Sequence, residues 1–181
     1  MSESFDGLVR VQQIDPVGMV TIRGDLTDAA FREAVGGAVG PIPDTRRING
    51  GASGGLAWMS PDELMLFCPA ADAPAAAVGL ADRLARQHHL AVDVSDARAV
   101  FRLTGAAVRD VLAKGAPVDL APGRFEPGEI RRTRLGQVAV AFWLTDAETA
   151  ELVCFRSVAD FVAEWLRIAA ATDAPVGFHA L

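Results

Sequence analysis

Cysteine, lysine and long apolar stretches are scarce in this sequence of 181 residues. The two cysteines, Cys68 and Cys154, form no Cys-x-x-Cys or Cys–His cluster, which excludes a disulfide framework and a zinc site of the usual spacing. No apolar run approaches the roughly 20 residues of a membrane-spanning helix. The polar, acidic start, MSESFD, is unlike a secretory signal peptide. These absences predict a soluble, reduced, cytoplasmic protein.

Positive charge is also in the minority. The formal net charge is -6 and the pI is near 5.0, which argues against nucleic acid as the main partner. Apolar residues, by contrast, are in excess, since nine apolar types make up 51% of the chain. The 17 glycines bring the total to about 60%, against a norm of about 45–50% counted the same way. This excess predicts apolar surface that is buried in a subunit interface.

One order of residues occurs twice along the chain. DPVGMVTIRG at 15–24 and DARAVFRLTG at 96–105, 81 positions later, are each followed by an amphipathic stretch. WMSPDELMLFCP from Trp58 and WLTDAETAELVCFRS from Trp143 repeat a following pair of strands. Alternating and helical periodicities predict an α+β fold, with an antiparallel sheet and helices on one face in each half. The two repeats are predicted as residues 1–90 and 91–181, packed as one compact unit.

The helices have recognisable start and stop signals. Thr27 is expected to cap a first helix that ends at Gly36–Gly37. A second helix is predicted from Asp72 to about Gln87, and a third from Ala106 to Ala113. Ser157 is expected to cap the last helix, which has the clearest i, i+3, i+4, i+7 pattern.

Glycines and histidines offer two candidate sites. The run Asn49–Gly55 lies within residues 44–55, which are expected to form a surface loop. It lacks lysine and the G-x-G-x-x-G spacing, and it precedes a strand, so a phosphate site is not predicted. His88 and His89 are expected to end a helix and His179 to lie in a tail, and nothing pairs them with a nucleophile.

The cysteines and arginines offer two more candidate sites. Cys68 and Cys154 end apolar strands at matching places and are interpreted as small core residues. The one local concentration of basic residues comprises Arg124, Arg131, Arg132 and Arg134. In a strand, Arg132 and Arg134 share one face and Arg131 takes the other. This set is interpreted as a solvated or interface face, with an anion site as the alternative.

The remaining charged pairs have no catalytic spacing. Arg109 and Asp110 fall within the short third helix, where both are expected to face water. Asp62 and Glu63 fall in a turn, and the sequence places no second acid near them for acid–base catalysis. Because no triad, metal cluster or dinucleotide fingerprint is present, no catalytic, cofactor-binding or metal-binding residue is predicted.

Several segments together carry a family resemblance. They are DVSDARAVFRLTGAAVRDVLAKGAPVDLAPGRFEPGEIRRTRLGQVAVAFW, RSVADFVAEWL and the strand start in WMSPDELMLFCP. From about residue 10 to 168 the chain resembles the gamma-subunit family of heterotetrameric sarcosine oxidase. The resemblance implies the duplicated α+β fold of the folate-binding aminomethyltransferases, the glycine-cleavage T-proteins.

The resemblance also implies an activity for the whole complex. It implies oxidation of the N-methyl amine of sarcosine to glycine, with hydrogen peroxide and formaldehyde or methylene-tetrahydrofolate as the other products. FAD, FMN and NAD are implied for the alpha and beta subunits, tetrahydrofolate for the partner subunits, and zinc for the delta subunit. No cofactor or catalytic residue is implied for the gamma subunit itself.

The sequence departs from the T-protein pattern in three places. The T-protein's Asp-Val-Ser-His is here Asp93-Val94-Ser95-Asp96. Its Gly-x-Arg-Asp-x-Leu-Arg-x-Glu segment has no counterpart, since Arg109-Asp110-Val111-Leu112 imitates it only superficially and lies in a different helix. A counterpart of its C-terminal barrel is not expected within these 181 residues. Independent aminomethyl transfer is therefore not expected.

Three hypotheses remain open from the sequence. The first is a non-catalytic gamma subunit of sarcosine oxidase with an assembly role, whose partners are the alpha, beta and delta subunits. The second is a stand-alone folate-binding or one-carbon transfer protein, in which the arginine strand holds the polyglutamate tail. The third is the equivalent subunit of another N-methyl amino acid dehydrogenase. Contacts with partners are expected at the final helix, the glycine-rich loop and the arginine strand.

Overall fold

The computed structural model describes residues 4–14 and 16–179. The chain divides into two compact units, residues 16–96 and residues 1–15 together with 97–181. Each unit is an antiparallel sheet with two helices, which confirms the predicted fold class. The signal-peptide expectation rests partly on residues 1–3, which lie outside the described residues.

The strands and helices are named in chain order. The strands are β1 (Ser4–Asp6), β2 (Arg10–Ile14), β3 (Val17–Arg23), β4 (Ile48–Gly51), β5 (Gly54–Ser60), β6 (Glu63–Pro69), β7 (Leu90–Asp93), β8 (Arg98–Thr104), β9 (Ile130–Leu135), β10 (Val138–Leu144) and β11 (Thr149–Phe155). The helices are α1 (Ala29–Val39), α2 (Ala73–Arg83), α3 (Val108–Ala113) and α4 (Ala159–Ala169).

The five-stranded unit, residues 16–96, has the strand order β4-β5-β6-β3-β7. Every second residue of a strand points to the same face of the sheet, and in β3 and β6 residues on both faces are buried. Val20 and Ile22 of β3 pack against Phe31 of α1 and Leu80 of α2, and all four are fully or almost fully buried. The helices therefore cover one face of this sheet.

The six-stranded unit has the strand order β1-β2-β8-β11-β10-β9. One face of its sheet carries Phe101, Phe142 and Leu152, which belong to one buried cluster with Val111 of α3 and Leu166 of α4. The edge-to-face contact of Phe125 and Phe142, with ring centroids 5.7 Å apart, extends this core to the segment between α3 and β9.

The two units repeat one order of elements. The order is strand, helix, three strands and helix, from β3 to α2 in one unit and from β8 to α4 in the other. The leading strands are exchanged, because β2 precedes β3 in the chain but pairs with β8, while β7 precedes β8 but pairs with β3. The sequence repeats therefore do not coincide with the compact units. The boundary at residues 90/91 refers to the repeats, and it stays a prediction.

The first helix corrects two expectations. Asp28, not Thr27, is the N-cap, and its carboxylate accepts a hydrogen bond from the backbone N–H of Ala30 at 2.9 Å. The Thr27 hydroxyl instead donates to Asp25 at 2.6 Å. The helix also continues through Gly36–Gly37 and ends at Gly40, which has the left-handed φ of 93° that a helix stop favours.

Three other predicted boundaries are wrong. Residues 44–55 include β4 and the start of β5, which form a hairpin in which Gly50 faces Gly55. Gly50 has a φ of 94°, and a Cβ there would overlap the Gly54 carbonyl oxygen, so this turn requires glycine. Helix α2 ends at Arg83, before the predicted Gln87. Helix α4 is preceded by a 3-10 turn, and Ser157 makes no capping hydrogen bond.

Candidate functional site

Helix α3 carries two charged residues that the structure buries. Arg109 is 8% exposed and Asp110 is 6% exposed, so the expectation that both face water is wrong. Every residue from Val108 to Leu112 is buried. The apolar residues on several sides of this short helix are the sequence signal that could have predicted this, because a helix that is apolar all round is a buried one.

Arg109 holds the segment between α3 and β9 in place. Its Nη1 donates to the carbonyl oxygens of Leu120 and Phe125, at 2.7 and 2.6 Å. Its Nη2 lies 4.0 Å from a carboxylate oxygen of Glu126. Buried carbonyls need partners, and charged donors are among the strongest ones, so this guanidinium fixes the path of the segment.

Asp110 and Lys114 of the α3 region hold the C-terminal tail, residues 171–179. Asp110 Oδ1 accepts a hydrogen bond from the backbone N–H of His179 at 2.8 Å. Lys114 Nζ donates to the carbonyl oxygens of Ala169 and Ala174, each at 2.5 Å. The three charged side chains therefore attach two irregular segments to one helix.

A cavity of about 430 Å³ lies beside these anchors. Its lining combines small apolar residues with charged ones, including Leu8, Ala107, Pro122, Val176, Arg109 and Asp110. Pockets that hold small molecules have volumes of about 300–1,000 Å³ and similarly mixed walls. This cavity is the candidate functional site, and the sequence did not predict it because the tail and the loop that close it have no periodic pattern.

The arginine concentration does not converge on one point. Arg131 lies over the Phe125 ring, 5.0 Å from its centroid, and donates to the Arg124 carbonyl at 3.1 Å and to Glu129 at 3.5 Å. Arg132 and Arg134 are exposed on β9, an edge strand of the six-stranded sheet, on the opposite face from Arg131. The predicted faces are confirmed, and Arg131 binds its own chain.

Among the described residues, the histidines and cysteines form no shared metal-binding group. His88 and His89 follow α2 instead of ending it, and His89 Nδ1 lies 2.9 Å from the Gln87 carbonyl. Cys154 is buried, and burial raises the pKa of its thiol to about 11; burial also raises the pKa of the half-buried Cys68. Since the thiolate is the nucleophile, neither environment activates a cysteine.

Asp62 lies in the turn before β6, but Glu63 is the first residue of β6 and is buried, so the expectation that both fall in a turn is wrong for Glu63. Arg23 Nη2 lies 3.3 Å from Glu63 and 3.7 Å from Asp62. In the six-stranded unit, buried Glu151 accepts hydrogen bonds from Arg102 at 2.6 Å and from Trp143 Nε1 at 3.0 Å.

Trp58 and Trp143, which marked the sequence repeat, face different sides of their sheets. Trp58 packs on the core beneath the helices, whereas its counterpart Trp143 points to the face opposite Phe142, which packs on the helices. The pairing register of β5 with β6 shifts at a β-bulge between Trp58 and Ser60, next to the first of these tryptophans.

Two further properties concern the described ranges. Among residues 4–14 and 16–179, no group of three or more His, Cys, Asp or Glu side chains is placed to hold a metal ion. Within the same ranges, the helices are too short or too polar to cross a membrane.

Comparisons with known proteins agree with the resemblance. The model of the "Sarcosine oxidase, gamma subunit family" matches residues 23–172. The sarcosine oxidase subunit gamma of Corynebacterium sp. (strain U-96) is 29% identical over 151 residues, which cover 83% of this chain and 72% of that protein.

Solved structures show the same fold. A chain of the heterotetrameric sarcosine oxidase from Corynebacterium sp. U-96 in complex with pyrrole 2-carboxylate superposes with a TM-score of 0.82, at 24% identity, over 93% of this chain and 86% of that one. Aminomethyltransferase T of the glycine cleavage system from Bartonella henselae gives 0.59 at 17% identity, over 85% and 44%. With the family model matching most of its length, this chain belongs to the sarcosine oxidase gamma subunit family.

Proposed function

We propose that this chain is the non-catalytic gamma subunit of a heterotetrameric sarcosine oxidase. The observation that carries the proposal is the family match over residues 23–172. The roles of the buried charges support it, because Arg109, Asp110 and Lys114 bind backbone groups of their own chain. Charged side chains that bind backbone groups of their own chain stabilise its fold. A fixed surface is what an assembly subunit contributes to its partners.

Helix α4 supplies a surface for a partner. Its inward stripe, Val162, Leu166 and Ala169, is buried. A second apolar stripe, Phe161, Trp165 and Ile168, follows the i, i+4, i+7 spacing on another side of the helix. Phe161 is 48% exposed and Ile168 is 57% exposed. Exposed aromatic and aliphatic side chains on one helix side are typical of protein interfaces.

The partners in this proposal are the alpha, beta and delta subunits in the cytoplasm. Flavin, NAD, tetrahydrofolate and zinc are assigned to those chains, and sarcosine oxidation is the activity of the assembly. The chain's own part is to cover apolar surface of its partners and to fix their geometry.

The test is co-purification of the full-length tagged chain from extracts of its native cells. We expect larger partner chains in the eluate, the absorbance of bound flavin, and hydrogen peroxide formed only when sarcosine is added. An eluate that contains this chain alone and lacks flavin would contradict the proposal. Calorimetric titration of that eluate with tetrahydrofolate would then test the stand-alone folate-binding hypothesis.

A pair of variants tests the contact surface. Phe161→Ser with Ile168→Ser removes the two exposed residues of the second stripe without changing the buried side of α4, and we expect it to reduce the recovery of partner chains. Val78→Ser is the matched control, because Val78 is an exposed apolar residue of another helix, at 63% exposure. Equal recovery with both variants would exclude α4 as the contact surface.

A further inference from the structure

The cavity beside α3 contains a buried carboxylate with an open acceptor position. Asp110 is 6% exposed and lines this cavity. Within the described residues its interaction is the hydrogen bond from the His179 N–H to Oδ1. An ionised carboxylate has two oxygens and about four acceptor positions, so Oδ2 is left without a protein donor there.

The cationic side chains nearest to Asp110 in the sequence form hydrogen bonds with other groups. Lys114, one turn later, directs its ammonium group to the carbonyl oxygens of Ala169 and Ala174. Arg109 directs its guanidinium to Leu120 and Phe125. In the part of the chain that the structure describes, no cationic side chain reaches ion-pair distance of Asp110. Oδ2 is not sealed from solvent, so a ligand in the cavity can reach it, and at a site this enclosed a counter-charge stabilises a carboxylate more than it does on an open surface.

The rest of the wall defines the kind of counter-charge that fits. Glu148 adds a second carboxylate to the lining, where it is exposed. Ala106, Ala107, Pro122 and Val176 provide apolar surface. From this combination we infer that the cavity binds a small organic ammonium ion, with its charged head at Asp110 and its apolar body against the alanines, proline and valine.

Two other ligand classes fit less well. A metal ion needs several ligating side chains, and the described residues contain no group of three suitable ones. An organic anion meets the Asp110 and Glu148 carboxylates, while the Arg109 guanidinium is already hydrogen-bonded to two carbonyls and lies near Glu126. The described lining thus sets two carboxylates against one guanidinium that is already bound and one imidazole, that of His179, and this balance favours a cation.

The test uses three probes that share one body. The full-length chain is titrated by NMR with 2-phenylethylammonium, 2-phenylethanol and 3-phenylpropanoate, which differ mainly in the charge of the head group. Because a hydrogen bond to a charged group is stronger than a neutral one, we expect the ammonium probe to bind at least about tenfold more tightly than the alcohol. The shifted resonances should include Ala106, Ala107 and Val176. Equal affinities, preference for the carboxylate, or binding by none of the probes would overturn the inference.

The variants separate charge from shape. Asp110→Asn keeps an oxygen acceptor for the His179 N–H but removes the charge, so the ammonium probe should lose its about tenfold advantage over the alcohol. Asp82→Asn makes the same charge change at an exposed position of α2 and should leave the advantage intact. An advantage that survives in Asp110→Asn, or that is lost in Asp82→Asn, would contradict the assignment.

A second variant keeps the inference testable if Asp110→Asn does not fold. Ala106 is exposed at the cavity, so Ala106→Phe can fill the space without changing the buried charge. Binding of all three probes should weaken, with the NMR spectrum otherwise folded. Unchanged binding in Ala106→Phe would place the probes elsewhere. These results do not depend on partner subunits, so they fail or succeed separately from the proposed function.

Discussion

Replacing Arg109 with methionine tests whether a buried guanidinium holds the fold of the six-stranded unit. Arg109→Met keeps the apolar stem but removes the two hydrogen bonds to Leu120 and Phe125, at 2.7 and 2.6 Å. Both acceptor residues are buried, at 1% and 0% exposure, so their carbonyls lose partners that water cannot easily replace. At about 1.5–3 kcal/mol for each bond to a charged group, we expect the free energy of unfolding to fall by about 3–6 kcal/mol.

The loss should be visible in both stability and local opening. For a chain of this size it corresponds to a melting temperature lower by about 6–24 °C. Amide hydrogen exchange should accelerate over residues 116–129, whose path Arg109 fixes, and stay unchanged in the β4–β5 hairpin of the five-stranded unit. Arg86→Met, at an exposed position, is the control. A change below about 0.5 kcal/mol, the usual range of surface substitutions, would refute the reasoning.

Three more predictions concern other contacts. Gly115→Ala should lower stability by about 1–3 kcal/mol in thermal unfolding, because its Cβ would overlap the Trp165 ring, whereas Gly79→Ala, with open space around it, should not destabilise. Lys114→Met should speed proteolysis of the tail, residues 171–179, since two hydrogen bonds at Ala169 and Ala174 are lost; an unchanged cleavage rate would show that other contacts hold it. At pH 8, iodoacetamide should modify Cys154 about 100-fold more slowly in the folded chain than in urea, because burial raises the pKa of its thiol from 9.0 to about 11. In the folded chain Cys68 should react before Cys154. Mass spectrometry of the labelled peptides checks this order.

The exchange of leading strands explains why the sequence repeat was visible while the compact units were not. Alternation predicted an antiparallel sheet with helices in each half, and each unit contains one. Pairing is a long-range property, and nothing local to β2 or β7 specifies which central strand each will join. The same limit explains the hairpin at 48–57, whose glycines suggested a loop although their close approach across β4 and β5 is what forms the turn.

The candidate site depended even more on tertiary structure. Composition and family resemblance indicated an assembly subunit, and the search of the sequence left Arg109 and Asp110 as surface charges. Residues 116–129 and 171–179, which carry no periodicity, lie against α3, where the side chains of Arg109, Asp110 and Lys114 hydrogen-bond to their backbone groups.

The sequence alone thus determined the fold class, the repeated order of elements and the family, because local periodicity and ordered motifs encode them. Tertiary structure alone decided the strand exchange, the burial of the α3 charges and the cavity at Asp110. Each of these depends on which distant segments meet, and that is a property of packing that no local pattern contains.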